Sequence, residues 1–195
     1  MSATLIENPI IQESPALETI AQALAERLSP YTNDPDGVVL TLPNNPAGLS
    51  TVVSDLLGLR RENFIVRALC APCECACIIG ALTETGVVYL DQNVISSQSL
   101  LQRELRAHIE REIQAQRIGI ARQLAVLRPG LGFPDLAGRH VVFIDDGRTP
   151  SAVMLAIIEA LRRMQAGRII VATPREADAS HTQVRQRADE YVALP

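Results

Sequence analysis

Val141-Val142-Phe143-Ile144-Asp145-Asp146-Gly147-Arg148-Thr149-Pro150-Ser151-Ala152 reads as a strand, a turn and the start of a helix. Four apolar residues in succession suit a strand buried on both faces. Two carboxylates follow at its C-terminal end, where open α/β sheets bind ligands. Gly147 permits a tight turn, the Thr149 hydroxyl is placed to cap the next helix, and Pro150 suits a first helical position. The incoming helix aims free N–H groups and the positive end of its dipole at the loop, which favours an anion such as phosphate. Beside that anion, Asp145 and Asp146 can accept hydrogen bonds from sugar hydroxyls or hold Mg²⁺ directly or through water. The two acids also fit a plainer role, capping turns at a strand end. Taken alone, these residues leave both roles open.

Outward from this stretch the pattern alternates. Downstream, 150–164 reads as a helix, Arg168-Ile169-Ile170-Val171-Ala172 as a strand, 175–188 as a helical stretch and Tyr191-Val192-Ala193-Leu194 as a last strand. Upstream, Val38-Val39-Leu40-Thr41-Leu42 is a β-branched run bounded by Gly37 and Pro43, hence a strand. The loop Asn44-Asn45-Pro46 leads into a helix over 47–57 that stops at Gly58. Phe64-Ile65-Val66 reads as a second strand. The segments 77–82 and 87–90, joined through Glu84-Thr85-Gly86, read as a hairpin. At the start, residues 1–14 form an irregular arm. Ser14-Pro15 then opens a helix, with Leu17, Ile20, Ala21, Leu24 and Leu28 at helical spacing up to Ser29-Pro30. A long amphipathic helix spans 99–127. Leu101, Leu105, Ile109 and Ile113 form its stripe, and Arg103, Glu104, Arg106, Glu110 and Arg111 lie off it. That helix suits either a seat across a sheet or a contact between copies of the chain. Strands alternating with helices define the fold class as α/β: a mostly parallel twisted sheet with helices on both faces, plus a small hairpin element.

Composition narrows the function. At 195 residues, the chain is long enough for a substantial core, which the 47% apolar and 3% aromatic content makes aliphatic. No stretch approaches the roughly 18 apolar residues of a membrane helix, and the first ten residues lack a signal pattern, so a cytoplasmic protein is expected. The net charge of −4 gives no electrostatic reason to expect nucleic acid. All 18 basic residues are Arg and none is Lys. This excludes a Schiff-base lysine, a P-loop lysine and an amine general base, and leaves Arg as the side-chain cation for any phosphate.

All four cysteines, Cys70, Cys73, Cys75 and Cys77, lie in Cys-Ala-Pro-Cys-Glu-Cys-Ala-Cys. Four thiolates can hold tetrahedral Zn²⁺ or a cluster, and closely spaced thiols can exchange disulfides. They also serve as small buried apolar side chains. All three readings stand on the sequence. His108, His140 and His181 are scattered and fit no metal or triad spacing, and His140 reads as structural.

The acidic strand and its loop resemble the ribose-phosphate motif of type I phosphoribosyltransferases, which reads hydrophobics, two acids, Gly, two variable residues and Thr-Gly. The resemblance covers about residues 36–195, leaving 1–35 as an N-terminal arm and helix, and looks closest to a bacterial group of predicted phosphoribosyltransferases. It rests further on residues 39–43, on Val66-Arg67 with Ala71-Pro72, on Ile79-Gly80-Ala81, on residues 86–93, on the long helix, and on Leu136-Ala137-Gly138-Arg139 leading into the acidic strand. The resemblance implies that Asp145 and Asp146 hold the ribose of phosphoribosyl pyrophosphate and act in catalysis. It further implies that Gly147, Arg148, Thr149, Pro150, Ser151 and Ala152 surround the 5-phosphate, with Asn44, Asn45 and Arg67 as further substrate contacts and Mg²⁺ as cofactor.

The chain departs from the family at three places. Pro150-Ser151 stands for Thr-Gly, Asn44-Asn45-Pro46 for an Arg-Gly-Gly-like loop, and Ala68 where group members often carry Lys. Each lost donor to the departing pyrophosphate costs on the order of 2–4 kcal/mol of transition-state binding. Three readings follow: an enzyme moving phosphoribosyl to a nitrogenous acceptor, a non-catalytic sensor of phosphorylated ribose, and a metal- or redox-responsive protein acting through its cysteines. In each, a homo-oligomer is compatible with the long helix.

Overall fold

A computed structural model of the protein describes residues 15–43, 48–72, 77–97, 102–174 and 181–194. Helix α1 (Pro15–Arg27) precedes strand β1 (Gly37–Thr41), helix α2 (Leu49–Leu57) and strand β2 (Arg60–Asn63). Three short strands follow, β3 (Val66–Cys70), β4 (Ile78–Thr83) and β5 (Val88–Leu90), then helices α3 (Gln92–Ser96) and α4 (Gln102–Leu127). The chain continues through β6 (His140–Ile144), α5 (Ser151–Arg163), β7 (Arg168–Thr173), α6 (Thr182–Arg187) and β8 (Glu190–Ala193).

The central sheet is parallel throughout, in the order β2-β1-β6-β7-β8. Its strands alternate between two aliphatic clusters, as period-two geometry requires. Val39, Val142, Ile144, Ile170 and Ala172 pack against Ala21 and Leu24 of α1, Leu28 just after it, and Val53 and Leu57 of α2. Val38, Leu40, Val141, Phe143, Ile169 and Val171 pack against α5 on the opposite face. The α/β class and the helices on both faces therefore stand as read from the pattern.

Helix α5 carries an unbroken buried run from Ala152 to Ile158, plus Ala160 and Leu161. A helix apolar all round needs cover all round. The antiparallel sheet β3-β4-β5 supplies the second cover. Its Val66, Ala68, Ala81 and Tyr89 face the α5 cluster, whereas Leu69, Ile79, Leu82 and Val88 face away from it. The long helix α4 closes that outer face with Ile109, Ile113, Ile120 and Leu124. Ile109 and Ile113 of the amphipathic stripe thus lie on a sheet, the first of its two expected roles, while Leu101 is outside the described residues. Gly80 allows the tight pairing of β4 with β5, since a Cβ there would stand 2.2 Å from the Tyr89 carbonyl oxygen.

Three elements differ from the sequence reading. The expected strand at Phe64-Ile65-Val66 is instead the passage between sheets: β2 ends at Asn63 and β3 begins at Val66, while Phe64 and Ile65 are buried in the junction. Strand β2 escaped notice because it is an edge strand of largely exposed polar residues, Arg60-Arg61-Glu62-Asn63. Helix α3 was also unread; Asp91 caps it by accepting from Asn93 N at 3.0 Å and Val94 N at 3.2 Å. Of the expected helical stretch 175–188, residues 175–180 lie outside the described residues, and α6 occupies Thr182–Arg187.

Buried charge ties the junction between the sheets. Glu84 Oε1 accepts from Ile65 N at 2.7 Å, and its other oxygen pairs with Arg128. The Arg128 guanidinium lies 4.7 Å above the Phe133 ring, which meets Phe64 edge-on. Replacing Glu84 by Ala strands a largely buried guanidinium, so Glu84→Ala is expected to cost about 3–5 kcal/mol. A urea midpoint equal to that of the parent would refute this.

At the opposite, N-terminal edge of the sheet, His140 bonds Asp34 at 2.6 Å, the structural role expected for it, and Arg162 bonds Asp189 at 2.7 Å. These partners hold both carboxyls below the usual carboxylate range, with burial opposing them. A depressed folded-state value gives stability that is complete above the unfolded value of about 4 and lost as pH falls through the lower folded one. The Asp189→Asn variant should therefore lose less stability than the parent between about pH 4 and pH 2 in urea titrations.

Candidate ligand-binding site

Three adjacent strands of the parallel sheet end in buried polar residues: β1 at Thr41, β6 just before Asp145, and β7 at Thr173. Thr41 and Ser50 of α2 share a buried hydroxyl–hydroxyl hydrogen bond of 2.8 Å. Helices α2 and α5 both begin beyond this edge, so their first, intrahelically unpaired N–H groups gather there. Polar side chains and helix starts thus meet at one edge of an otherwise aliphatic sheet.

Within the acidic loop the two carboxylates have unlike surroundings. Asp145 is 1% exposed and extends the ladder of β6, donating its N–H to Ala172 O at 2.8 Å. Its carboxylate turns back into its own loop, accepting from Gly147 N at 2.9 Å and Thr149 N at 3.2 Å, and also from the Thr149 side chain. Burial pushes its pKa up, the three hydrogen bonds pull the other way, and the charge of Asp146 adds to the rise. Asp146 is only partly buried and accepts from Arg148 N at 3.1 Å. Gly147 and Arg148 are exposed, and Gly147 takes φ +82°, in the left-handed region open to glycine.

The helix start corrects two expectations. Helix α5 begins at Ser151, and Pro150 is its N-cap residue with φ −60° and ψ 144° and no side-chain cap. The Pro150 carbonyl accepts from Val153 N at 2.9 Å and Met154 N at 3.1 Å. Thr149 spends its hydroxyl on the buried Asp145 carboxylate, a charged and therefore stronger acceptor, rather than on the helix.

The remaining predicted site residues lie elsewhere or beyond view. Asn44 and Asn45 are outside the described residues. Arg67 stands on the α4 side of the antiparallel sheet, opposite in facing to Ala68; its Nε donates to Gln116 at 2.9 Å and its guanidinium borders Gly119. Cys73 and Cys75 are likewise outside the described residues. Cys70 and Cys77 are free thiols where β3 meets β4, and Ala71 N donates to Cys77 O at 2.8 Å. Burial, then Glu112 and Cys77, pushes the Cys70 thiol up, while His108 bonds the Cys70 carbonyl at 2.9 Å. Among the described residues no group of three or more His, Cys, Asp or Glu is placed to hold a metal, and no helix is long and apolar enough to cross a membrane. The sequence reading missed Thr41, Ser50 and Thr173. A usable signal existed, since Thr closes an aliphatic run just ahead of proline in both Thr41-Leu42-Pro43 and Thr173-Pro174.

Together the parallel order, the acidic loop and the helix starts place a candidate ligand-binding edge on an α/β sheet, and the chain is similar to proteins named as phosphoribosyl transferases. Two curated relatives, from Mycobacterium tuberculosis strains CDC 1551 and H37Rv and both named provisionally as phosphoribosyl transferases, are 29% identical over 171 residues. The match covers 88% of this chain, which spans only 38% of each relative's length. The crystal structure of TT1426 from Thermus thermophilus shares the fold with a TM-score of 0.65 and 24% identity, covering 92% of this chain and 83% of that one. No family model matches the chain.

The turn makes its own prediction. A side chain at the left-handed Gly147 position costs about 1–2 kcal/mol. Gly147→Ala should lower the unfolding free energy by that amount; an unchanged value would mean that the turn relaxes without cost.

Proposed function

We propose that the protein binds a phosphorylated ribose, as phosphoribosyl pyrophosphate or ribose 5-phosphate, at the loop of residues 145–152. The observation that carries this reading is the acidic loop at the C-terminal end of β6, set directly before the start of the buried helix α5. A carboxylate there accepts from a sugar hydroxyl, and the positive end of α5 together with the Arg148 guanidinium suits a phosphate. The resemblance gives the acidic pair Asp145 and Asp146 jointly to the ribose and residues 147–152 to the 5-phosphate; of the two acids Asp146 is the more exposed.

In the enzymatic form of this reading, the phosphoribosyl group passes to a nitrogenous acceptor and pyrophosphate departs. The protein's part is positioning and electrostatics. The resemblance gives Asn44 and Asn45 to the pyrophosphate, whereas Arg67, bonded to Gln116 on the α4 side of the antiparallel sheet, is left out of this reading. The oxygen-only donor set at the loop fits Mg²⁺, a hard cation that keeps several waters and takes one or two carboxylates plus substrate phosphates. Asp146, the more exposed acid, is the residue to hold it, and the ion would neutralise diphosphate charge. The names of the mycobacterial relatives support transferase chemistry.

A second reading is a sensor that keeps the ribose-phosphate pocket without transfer. Pro150-Ser151 and Asn44-Asn45 favour it, because they remove or replace donors at both phosphate positions.

Calorimetric titration with phosphoribosyl pyrophosphate and Mg²⁺, against ribose 5-phosphate, tests the proposal in the parent and in Asp146→Asn. Tighter binding of the diphosphate, weakened about tenfold or more in the variant, is expected for the enzyme. Equal binding of both ligands would select the sensor. Absence of binding by either would overturn the phosphoribose reading.

A further inference from the structure

The two acids of the loop do unlike work. A carboxylate offers about four acceptor positions. In Asp145 three are committed inside the loop, to the Gly147 N–H, the Thr149 N–H and the Thr149 hydroxyl, and the residue is 1% exposed. A fourth position remains, but with the residue 1% exposed a ligand hydroxyl reaches Asp145 only if the turn itself opens, which gives up hydrogen bonds of the kind the ligand would supply. Asp146, one residue on, is partly exposed and braces only the Arg148 N–H.

We propose that Asp145 is a positioning residue that holds the 145–149 turn in shape, and that Asp146 is the carboxylate that meets the ligand. The second half rests on the phosphoribose reading; the first half stands without it. Asp145 is also tied from behind, since its N–H continues the β6–β7 ladder to Ala172. The brace therefore links the central sheet rigidly to the turn ahead of α5. Thr149, expected from the sequence to cap the helix, is the second member of this brace. The ligand then finds a single outward carboxylate, enough for one sugar hydroxyl or for Mg²⁺ through water, where a paired site would offer two.

Hydrogen exchange at single backbone amides, without ligand, tests the brace in the parent, Asp145→Asn, Asp146→Asn, Thr149→Val and Thr149→Ser. The Asn side chain at 145 keeps the shape but presents an N–H₂ to donors that need an acceptor. Exchange at Gly147 and Thr149 should rise about tenfold in Asp145→Asn, the equivalent of one lost hydrogen bond. Asp146→Asn should leave those two amides at parent rates and release only Arg148. Thr149→Val should lie between the two acids, and Thr149→Ser, which keeps the hydroxyl, should return to the parent. Parent-like exchange at Gly147 in both Asp145→Asn and Thr149→Val overturns the brace. Should Asp145→Asn not fold, Thr149→Val against Thr149→Ser decides the matter alone.

Titration with ribose 5-phosphate then tests the ligand half. Loss of affinity in Asp146→Asn, at unchanged Gly147 and Thr149 exchange, supports direct contact. Parent-like affinity in that variant overturns it. If the parent itself binds no ribose 5-phosphate, the ligand half falls with the phosphoribose reading, while the exchange rates still judge the brace.

Discussion

Everything in this fold hangs on the burial of helix α5 from two sides. Its inner side lies on the parallel sheet through Val141, Phe143, Ile169 and Val171, and its outer side carries the antiparallel sheet through Ala68, Ala81 and Tyr89. Among the described residues the two sheets exchange no ladder bonds; they are held together by a shared helix and by the Phe64–Ile65 passage. Ala152, Ala156 and Ala160 recur every fourth residue on that helix and let neighbours approach closely. Because α5 starts immediately after the acidic loop, its packing also fixes where that loop can sit. The most buried helix of the fold therefore holds the loop on which the functional proposal depends.

Much of this was legible in the chain, and the reasons are local. The runs at 38–41, 141–144 and 168–172 are continuous and β-branched because both faces of a parallel strand are covered, and such runs stand out. The hairpin declared itself through Glu84-Thr85-Gly86 between two apolar segments. Strand β2 did not, because its pairing is backbone chemistry with β1 and its side chains face solvent. The short helix α3 is too brief to show a period and depends on its cap.

The site was legible in position and less so in wiring. The acids and the glycine stand between strand and helix in the order the sequence reading gave them. What the sequence did not disclose is that Thr149 faces back toward Asp145 and that Pro150 precedes the helix instead of opening it. Both depend on burial: a carboxylate 1% exposed recruits donors that a solvated one leaves to the helix. Thr41 and Thr173 showed only as the polar ends of aliphatic runs; that they meet, with Ser50, at one edge follows from the adjacency of β1, β6 and β7, which only the sheet order supplies.

Strand β2 has one more consequence. A parallel sheet cut off at its edge displays a row of unpaired N–H and C=O groups, a template on which a stray strand from another molecule can grow. Here that rim is written in Arg60, Arg61, Glu62 and Asn63, where two positive charges, one negative charge and an amide replace the aliphatic side chains of the inner strands. An approaching apolar strand would have to dehydrate those charges to pair, a penalty that no new ladder bond repays. The very polarity that hid the strand from a pattern reading is what lets the sheet stop there and keeps it from recruiting its neighbours.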